Sequence, residues 1–471
     1  MSKGRTLSMY RLLLAFLALL AVVQTSLAEQ VEFGSAIQLT FADSIGFQLD
    51  TYASSDGAQH LTWNDKRSGG LEIYYGELDG TTLVTEVAIA GGSNPENPCI
   101  SVSNGGTICV VWEDLVDDLF QIFSSFSTDA GSTWSTPVEL SFATVNAVNA
   151  DLVLESDDSF GVVYMTLSTT DSELYYAKWN GASWSTPTQI TDSSGDASHP
   201  DAIAEADTVH VAWQDTRDGN DEIYHATLLN GTVTLTERLT NDASYSWQPR
   251  LALMGDTLLV GYNDKRDGDF EIFMQRRIGG VWNPEEKLTE TDQDSKFCHI
   301  ATGSQSRIYV AWQDLRLGSY DVAFKMWGGN AWCDDVLVAT ETDDDVEAHI
   351  FVAGDELTAV WSRFYDGILN QADLFCATAT ALPVSSIDTS SALTHRLVAY
   401  PNPSRGAVQI FAQGVDAASL PLGIWDAQGR QIWSGELTRG GASWDSRQSP
   451  SGVYFLRTPD EQQTTKLIIS R

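Results

Sequence analysis

His210-Val211-Ala212-Trp213-Gln214-Asp215-Thr216-Arg217-Asp218-Gly219 decides how this chain is read. A short apolar run ends in an aromatic. Then follow Asn or Gln, Asp, any residue, Arg, any residue and Gly. Three other stretches repeat the signature: Trp63 to Gly69, Tyr262 to Gly268 and Trp312 to Gly318. The aromatic itself recurs more widely, at Trp63, Trp112, Tyr164, Trp213, Tyr262, Trp312 and Trp361. The gaps are 49, 52, 49, 49, 50 and 49 residues. A period near 50 built from several short strands marks a β-propeller, and seven copies predict seven blades.

Alternation and turn residues divide each repeat into four strands. In the fourth copy these are 201–206, 209–213, 222–228 and 232–240. The last strand often ends in an apolar residue and Thr: Ile190-Thr191, Leu239-Thr240 and Leu288-Thr289. Leu39-Thr40 shows the same ending before the first repeat. The seventh repeat stops near Leu382 with no room for a fourth strand. Ala36 to Thr40 is therefore expected to supply the outer strand of the last blade, which leaves no open edge. No helix of note is expected in the ring.

Residues 1–28 read as a secretory signal peptide. Lys3, Arg5 and Arg11 precede the apolar run Leu12 to Val23, and Ser26-Leu27-Ala28 supplies small residues for cleavage. The run is too short for a membrane span, and no other run is long enough. The net charge is −37, and it falls to about −40 once the three cations of this leader are gone. Such a chain repels nucleic acid and anionic membranes. Five cysteines show no CxxC pair and no metal spacing, so neither zinc nor any cofactor is expected. Cys99 and Cys109 flank the turn Asn104-Gly105-Gly106 and form the expected disulfide in an exported chain; Cys298 with Cys333 is the weaker pairing.

The pattern changes after residue 382. The ring is assigned to 29–382, a Ser/Thr-rich linker to 383–397 and a small β-sandwich to 398–471. Four motifs follow in order: Tyr400-Pro401-Asn402-Pro403-Ser404-Arg405-Gly406, then Ile424 to Arg430 (apolar-x-Asp-x-x-Gly-Arg), Ser451-Gly452-Val453-Tyr454-Phe455, and the terminal Lys466-Leu467-Ile468. This region resembles the type A C-terminal sorting domain of the bacterial type IX secretion system. It is also similar to the immunoglobulin-like domain of flagellar hook-capping proteins. The resemblance implies export to the cell surface, with the secretion machinery as a partner. The fold class is thus all-β: a seven-bladed propeller followed by an immunoglobulin-like sandwich.

Ser127-Thr128-Asp129-Ala130-Gly131-Ser132-Thr133-Trp134 resembles the Asp-box of sialidase-like propellers, with weaker echoes ending at Trp184, Trp282 and Trp332. In that family the box is a folding device: Asp129 and Ser127 tie the turn and Trp134 packs between strands. The family's catalytic arginines have no counterpart here, since Arg-Ile-Pro is missing. Asp65, Asp215, Asp264 and Asp314 recur in every signature, as do Arg67, Arg217, Arg266 and Arg316. Recurrence argues for structure: Asp taking turn N–H groups, Arg bracing a neighbouring blade. Asp218-Gly219-Asn220-Asp221-Glu222 lacks the full alternating calcium loop.

Selectivity belongs to positions that break the repeat. Equivalent places at the innermost strands hold Asp201, Arg250, His299 and His349, with His199, Trp247, Gln248 and Phe297 nearby. Asp201, Trp247, Arg250, His299 and His349 form the expected ligand-binding collar around the central channel. The preferred reading is a non-enzymatic binder of a glycan or protein. The alternatives are a sialidase-like glycoside hydrolase or lyase with an atypical site, and a purely structural envelope protein.

Overall fold

The aromatic repeat is buried throughout, each ring at most 2% exposed. The computed structural model describes residues 31–41, 46–141, 144–168, 171–329, 331–365, 371–380, 396–400, 407–413, 420–426, 430–437, 442–457 and 464–469. The leader, most of the linker and Pro401 to Gly406 lie outside them. Two single 3-10 turns, Ser304–Ser306 and Ser446–Gln448, are the only helical elements among the described residues.

Seven antiparallel sheets, here called blades 1 to 7, occupy the described residues before 381. Their first strands are Gly46–Ala53, Glu96–Val102, Asn146–Leu154, Ala197–Glu205, Ser246–Met254, Ser295–Thr302 and Asp344–Ala353. Each first strand touches the next, and the last touches Gly46–Ala53, so the ring closes. The core lies between blades. Trp63 packs with Phe351, Val360 and Leu374 of blade 7. Trp112 packs with Ile73 and Tyr75 of blade 1, and Tyr164 with Cys109 and Val111 of blade 2. Trp213, Tyr262, Trp312 and Trp361 continue the series, each against the preceding blade. An aromatic is needed once per blade because one large ring fills each wedge. Truncating such a ring costs about 3–5 kcal/mol.

Blade 7 is closed as expected, and the clasp is longer than the sequence suggested. Ile37–Gln38 pairs with Ala372–Thr380, Ile37 opposite Cys376 and Gln38 opposite Phe375. A bridge joins Phe33 to Ala379. The Leu39 N–H bonds Leu374 O at 2.7 Å, as the Leu239 N–H bonds Ile223 O at 2.8 Å in blade 4. The shared Leu-Thr ending therefore marks one register position in both blades.

In blade 4 the first strand is Ala197–Glu205, four residues earlier than expected at its start. A bulge explains the difference. Pairing is interrupted between Ser198 and Asp201 yet resumes before it, Ser198 opposite Gln214. Every blade has this interruption, centred on a residue with positive φ: Gln48, Asn97, Asn149, His199, Gln248, Phe297 and Glu347. None is glycine, so the sequence carries no mark of the bulge.

The disulfide expectation is corrected. Cys99 stands opposite Val111 and Cys109 opposite Ser101. The pair is thus diagonal across two strands, a separation of about 7–8 Å that a disulfide cannot span unstrained. All five cysteines are free thiols. Cys298 belongs to the core between blades 5 and 6 and Cys333 to that between blades 6 and 7, so this pairing also fails.

The C-terminal region is a two-sheet sandwich. One sheet runs Arg396–Tyr400, Ala407–Gln413, Ala442–Asp445; the other Gln431–Leu437, Leu420–Asp426, Gly452–Arg457, Thr464–Ile469. Val408, Ile410, Leu422, Ile424, Trp444, Tyr454, Leu456 and Ile469 fill its core. Two of the motifs are turn devices. Asp426 accepts from the Arg430 N–H at 2.9 Å, and the Tyr454 hydroxyl bonds Pro450 O at 2.8 Å.

Candidate ligand-binding face

The repeated Asp and Arg belong to one local device. Asp65, Asp215, Asp264 and Asp314 each accept the N–H of the Arg two residues on, at 2.8, 2.9, 2.9 and 3.0 Å. The guanidinium returns to the same carboxylate and lies over an aromatic of its own blade: Arg67 over Tyr74, Arg217 over Tyr224, Arg266 over Phe273. The expectation that Arg braces a neighbouring blade is corrected. Arg67 reaches Glu86, Arg266 reaches Glu285 and Arg316 reaches Asp335, all within the blade. Arg needs a carboxylate at fork geometry, and its own turn supplies one two residues away. Blade 7 makes the same device from other positions: Arg363 pairs with Asp345 of the first strand at 2.7 Å and stacks on Phe375.

The Ser127–Trp134 turn is tied as expected. Asp129 accepts from Ser127 Oγ at 2.9 Å and from the Thr133 N–H at 2.8 Å. Trp134 packs on Tyr75 of the preceding blade, ring centres 5.3 Å apart. Trp184, Trp282 and Trp332 likewise reach back, donating to Ser124, Glu237 and Glu286.

The collar follows from the bulges. The residue two places after each left-handed residue occupies the same register position, giving Asp50, Cys99, Asp151, Asp201, Arg250, His299 and His349. Four of these seven are the expected collar members. Asp50, Cys99 and Asp151 escaped sequence reading. Most collar side chains are spent on the next blade. Asp50 accepts from the Ile100 N–H at 2.8 Å, Asp151 from Ala202 at 2.6 Å and Asp201 from Leu251 at 2.7 Å. Cys99 donates to Ala150 O, His299 Nδ1 accepts from the Ile350 N–H, and His349 Nδ1 meets Thr51 Oγ1.

Arg250 differs. Its Nη1 bonds Asp201 at 2.8 Å, while 49% of the side chain stays accessible to solvent even though the protein around it strongly desolvates the guanidinium. Its Nε and Nη2 make no hydrogen bond among the described residues. Burial pushes the Asp50 carboxyl up to about 6 against the pull of the Ile100 amide. Burial and the Asp201 charge push Asp151 well above the usual range. Burial also raises Asp201, opposed by Arg250. Burial and Arg250 hold His299 down at about 3, and burial with His299 holds His349 well down. Both imidazoles are therefore neutral near pH 7, as the acceptor role of His299 Nδ1 requires.

Trp247 sits on the same face. Its indole N–H bonds Asp221 at 3.0 Å and its ring lies 4.8 Å from Phe270. The turn 218–222 is knitted to protein: Asn220 donates to Asp242 O and Glu222 takes Thr240 Oγ1. No group of three or more His, Cys, Asp or Glu side chains able to hold a metal occurs among the described residues. Nor is any helix there long and apolar enough to cross a membrane.

Comparison with known proteins agrees with this architecture. No curated protein matches the sequence. Among solved structures, an ulvan lyase aligns at 11% identity over 72% of this chain and 95% of its own, with a TM-score of 0.51. A Hadza microbial sialidase aligns at 13% identity over 69% of this chain and 77% of its own, TM-score 0.44. An α-L-arabinofuranosidase from Fusarium graminearum aligns at 10% identity over 74% of this chain and 98% of its own, TM-score 0.44. Residues 398–470 match the family model described as the secretion system C-terminal sorting domain. Behind its β-propeller the chain thus carries a type IX secretion sorting domain, the address of a protein delivered to the outer cell surface.

Proposed function

We propose that this protein is a surface-delivered binding propeller that takes a glycan on the bulge-bearing face, at Arg250 and Trp247. The observation that carries the reading is the exposure of Arg250. Its neighbours in the collar hold blades together, so Asp201, His299 and His349 shape the site while Arg250 makes the contact. A guanidinium grips hydroxyls or a carboxylate, and an indole stacks on a sugar face. The ulvan lyase that shares the fold is seen with a saccharide bound, so such a ring accommodates one.

The test is a glycan array probed with the mature full-length chain. Binding to a defined glycan, lost in the W247A/R250A double variant while the ring stays folded, supports the site; the melting temperature itself should fall, because Asp201 loses its ion-pair partner. Full retention by the double variant removes the assignment. A second reading, a glycoside hydrolase or lyase, is favoured by the Asp151–Asp201 pair. Burial and the Asp201 charge hold a proton on Asp151, while Arg250 opposes the rise of Asp201, and such a separation suits an acid and a base. New reducing ends or unsaturated products from a bound polysaccharide would establish that reading instead.

A further inference from the structure

Tyr245 and Lys265 stand beside the collar, on the loops that enter and leave the first two strands of blade 5. The Lys265 N–H bonds Tyr245 O at 3.0 Å, which locks the two loops together. Tyr245 is 48% exposed. Its hydroxyl makes no hydrogen bond among the described residues. The ring lies 6.0 Å from Trp247. Trp247 in turn lies on Phe270, and two ammonium groups sit over that same Phe270: Lys265 at 5.1 Å and Lys296 at 4.8 Å.

Charge makes the cluster unusual. Residues 29–382 contain six lysines, and two of them share one ring. The Lys296 charge is met by Asp294 at 2.6 Å. Nearby Asp267 is occupied by Lys287 at 2.7 Å. Lys265 is exposed and makes no ion pair within 4 Å among the described residues, and its charge reaches Asp294 only at longer range, behind Lys296. In a chain of net charge −37, an exposed ammonium over the buried Phe270 ring, with a second cation beside it and the exposed Tyr245 on the loop bonded to its own, is poised for an external anion.

We infer that Tyr245 and Lys265 form a subsite for an acidic sugar unit, a uronate or a sulfated residue, of an extracellular polysaccharide. The inference rests on the reading of this face as the glycan-binding face. The Tyr245 ring takes the apolar C–H face of the sugar, and its hydroxyl exchanges hydrogen bonds with the sugar hydroxyls. The Lys265 ammonium meets the carboxylate or sulfate at the rim. A single exposed pair of this kind is weak, but a polymer repeats the unit and engages Trp247 and Arg250 as well.

The experiment measures binding of the mature full-length chain to polygalacturonate, to dextran sulfate and to neutral dextran by affinity electrophoresis. The overall negative charge disfavours nonspecific retention by polyanions, which makes retention diagnostic. At least one acidic polymer is expected to bind and neutral dextran not. The acidic polymer that binds identifies carboxylate or sulfate as the recognised group. Y245A should weaken binding about three- to tenfold and K265Q about two- to fivefold, with unchanged melting temperature. Added salt should weaken it too. Equal retention by neutral dextran, or full retention by Y245A and K265Q, overturns the subsite. If those two variants keep full affinity while W247A/R250A loses it, the face survives and the subsite falls. If all variants bind fully, both fall. If no polymer binds, the polysaccharide assignment fails, and the face stays open only to a glycan of another kind on the array.

Discussion

Thr40 and Asp373 lie 333 residues apart in sequence and share a hydrogen bond of 2.9 Å. Thr40 Oγ1 also accepts the Leu374 N–H at 3.0 Å. The same pair of bonds recurs wholly within a blade elsewhere. Thr240 donates to Glu222 and accepts from the Ile223 N–H, and Thr289 does so with Glu271 and Ile272. One hydroxyl thus fastens a fourth strand to a third, and in blade 7 it fastens the two ends of the ring.

T40A should lower stability by about 1–3 kcal/mol, because it strips a buried carboxylate and a buried amide of a partner. Deleting residues 29–41 should cost more, since blade 7 then loses its outer strand. Thermal unfolding of the three proteins checks this. An unchanged melting temperature on deletion would show that the clasp does not hold the ring.

Blade 6 lacks this fastening. Val338 holds the register position of Leu239, since its N–H bonds Val322 O at 2.7 Å, so Ala339 stands where Thr240 does. The acid of the third strand, Asp321, is 0% exposed and both its oxygens lack a hydrogen-bond partner. A339T should restore the missing bond and raise stability by about 1 kcal/mol. The result to compare is the melting temperature against the parent.

Burial, with Asp345, Asp314 and Asp344 nearby, pushes the Asp321 carboxyl up from 3.8 to about 6. A raised folded value means that the native state holds this proton more tightly. Its contribution is fully present below pH about 4 and is lost as pH rises through about 6. D321N should therefore stabilise the ring at pH 7.5, by roughly 2 kcal/mol, and do little at pH 4. Urea titrations at the two pH values separate these outcomes. An equal effect at both would show that the carboxyl does not titrate in this range.

D215A should cost about 3–5 kcal/mol. It leaves the Arg217 guanidinium, the Arg217 N–H and the Trp213 indole N–H, now bonded to Asp215 at 2.8 Å, without their acceptor. Glycan binding per folded molecule should not change. A selective loss of binding at full stability would instead move the repeated Asp into the site.

Removing residues 398–471 should leave the ring folded and stop its delivery to the surface of its native host. Surface labelling of cells expressing the truncated chain decides the matter.

The ring was legible because one indole or phenol per blade must fill the same wedge, which leaves a periodic mark. Thr40 was legible for the same reason. The collar was only half legible. Asp201, Arg250, His299 and His349 were found by counting back along similar repeats, whereas Asp50, Cys99 and Asp151 stand in the first three blades, after bulges that no glycine marks: the left-handed residues Gln48, Asn97 and Asn149 are carboxamides, a type found throughout the chain. Spacing also failed at Asp345. That carboxylate reaches Arg363 from another strand, so no local signature records the pair. The thiols misled because Cys99 and Cys109 lie two residues out of register, an offset that only pairing reveals.

The strand Ala372–Thr380 has a mechanical consequence. It lies between Glu356–Phe364 and the N-terminal Ile37–Gln38, and among the described residues it is the last strand of the ring. A protein tethered by its C-terminal end feels drag from flow or from a bound polymer as tension at Thr380. Where that tension acts lengthwise, it meets a strand laddered on both sides. It must shear two sets of hydrogen bonds together instead of peeling them one at a time from a free border. Without the N-terminal residues, the same pull would meet a single ladder and an open edge.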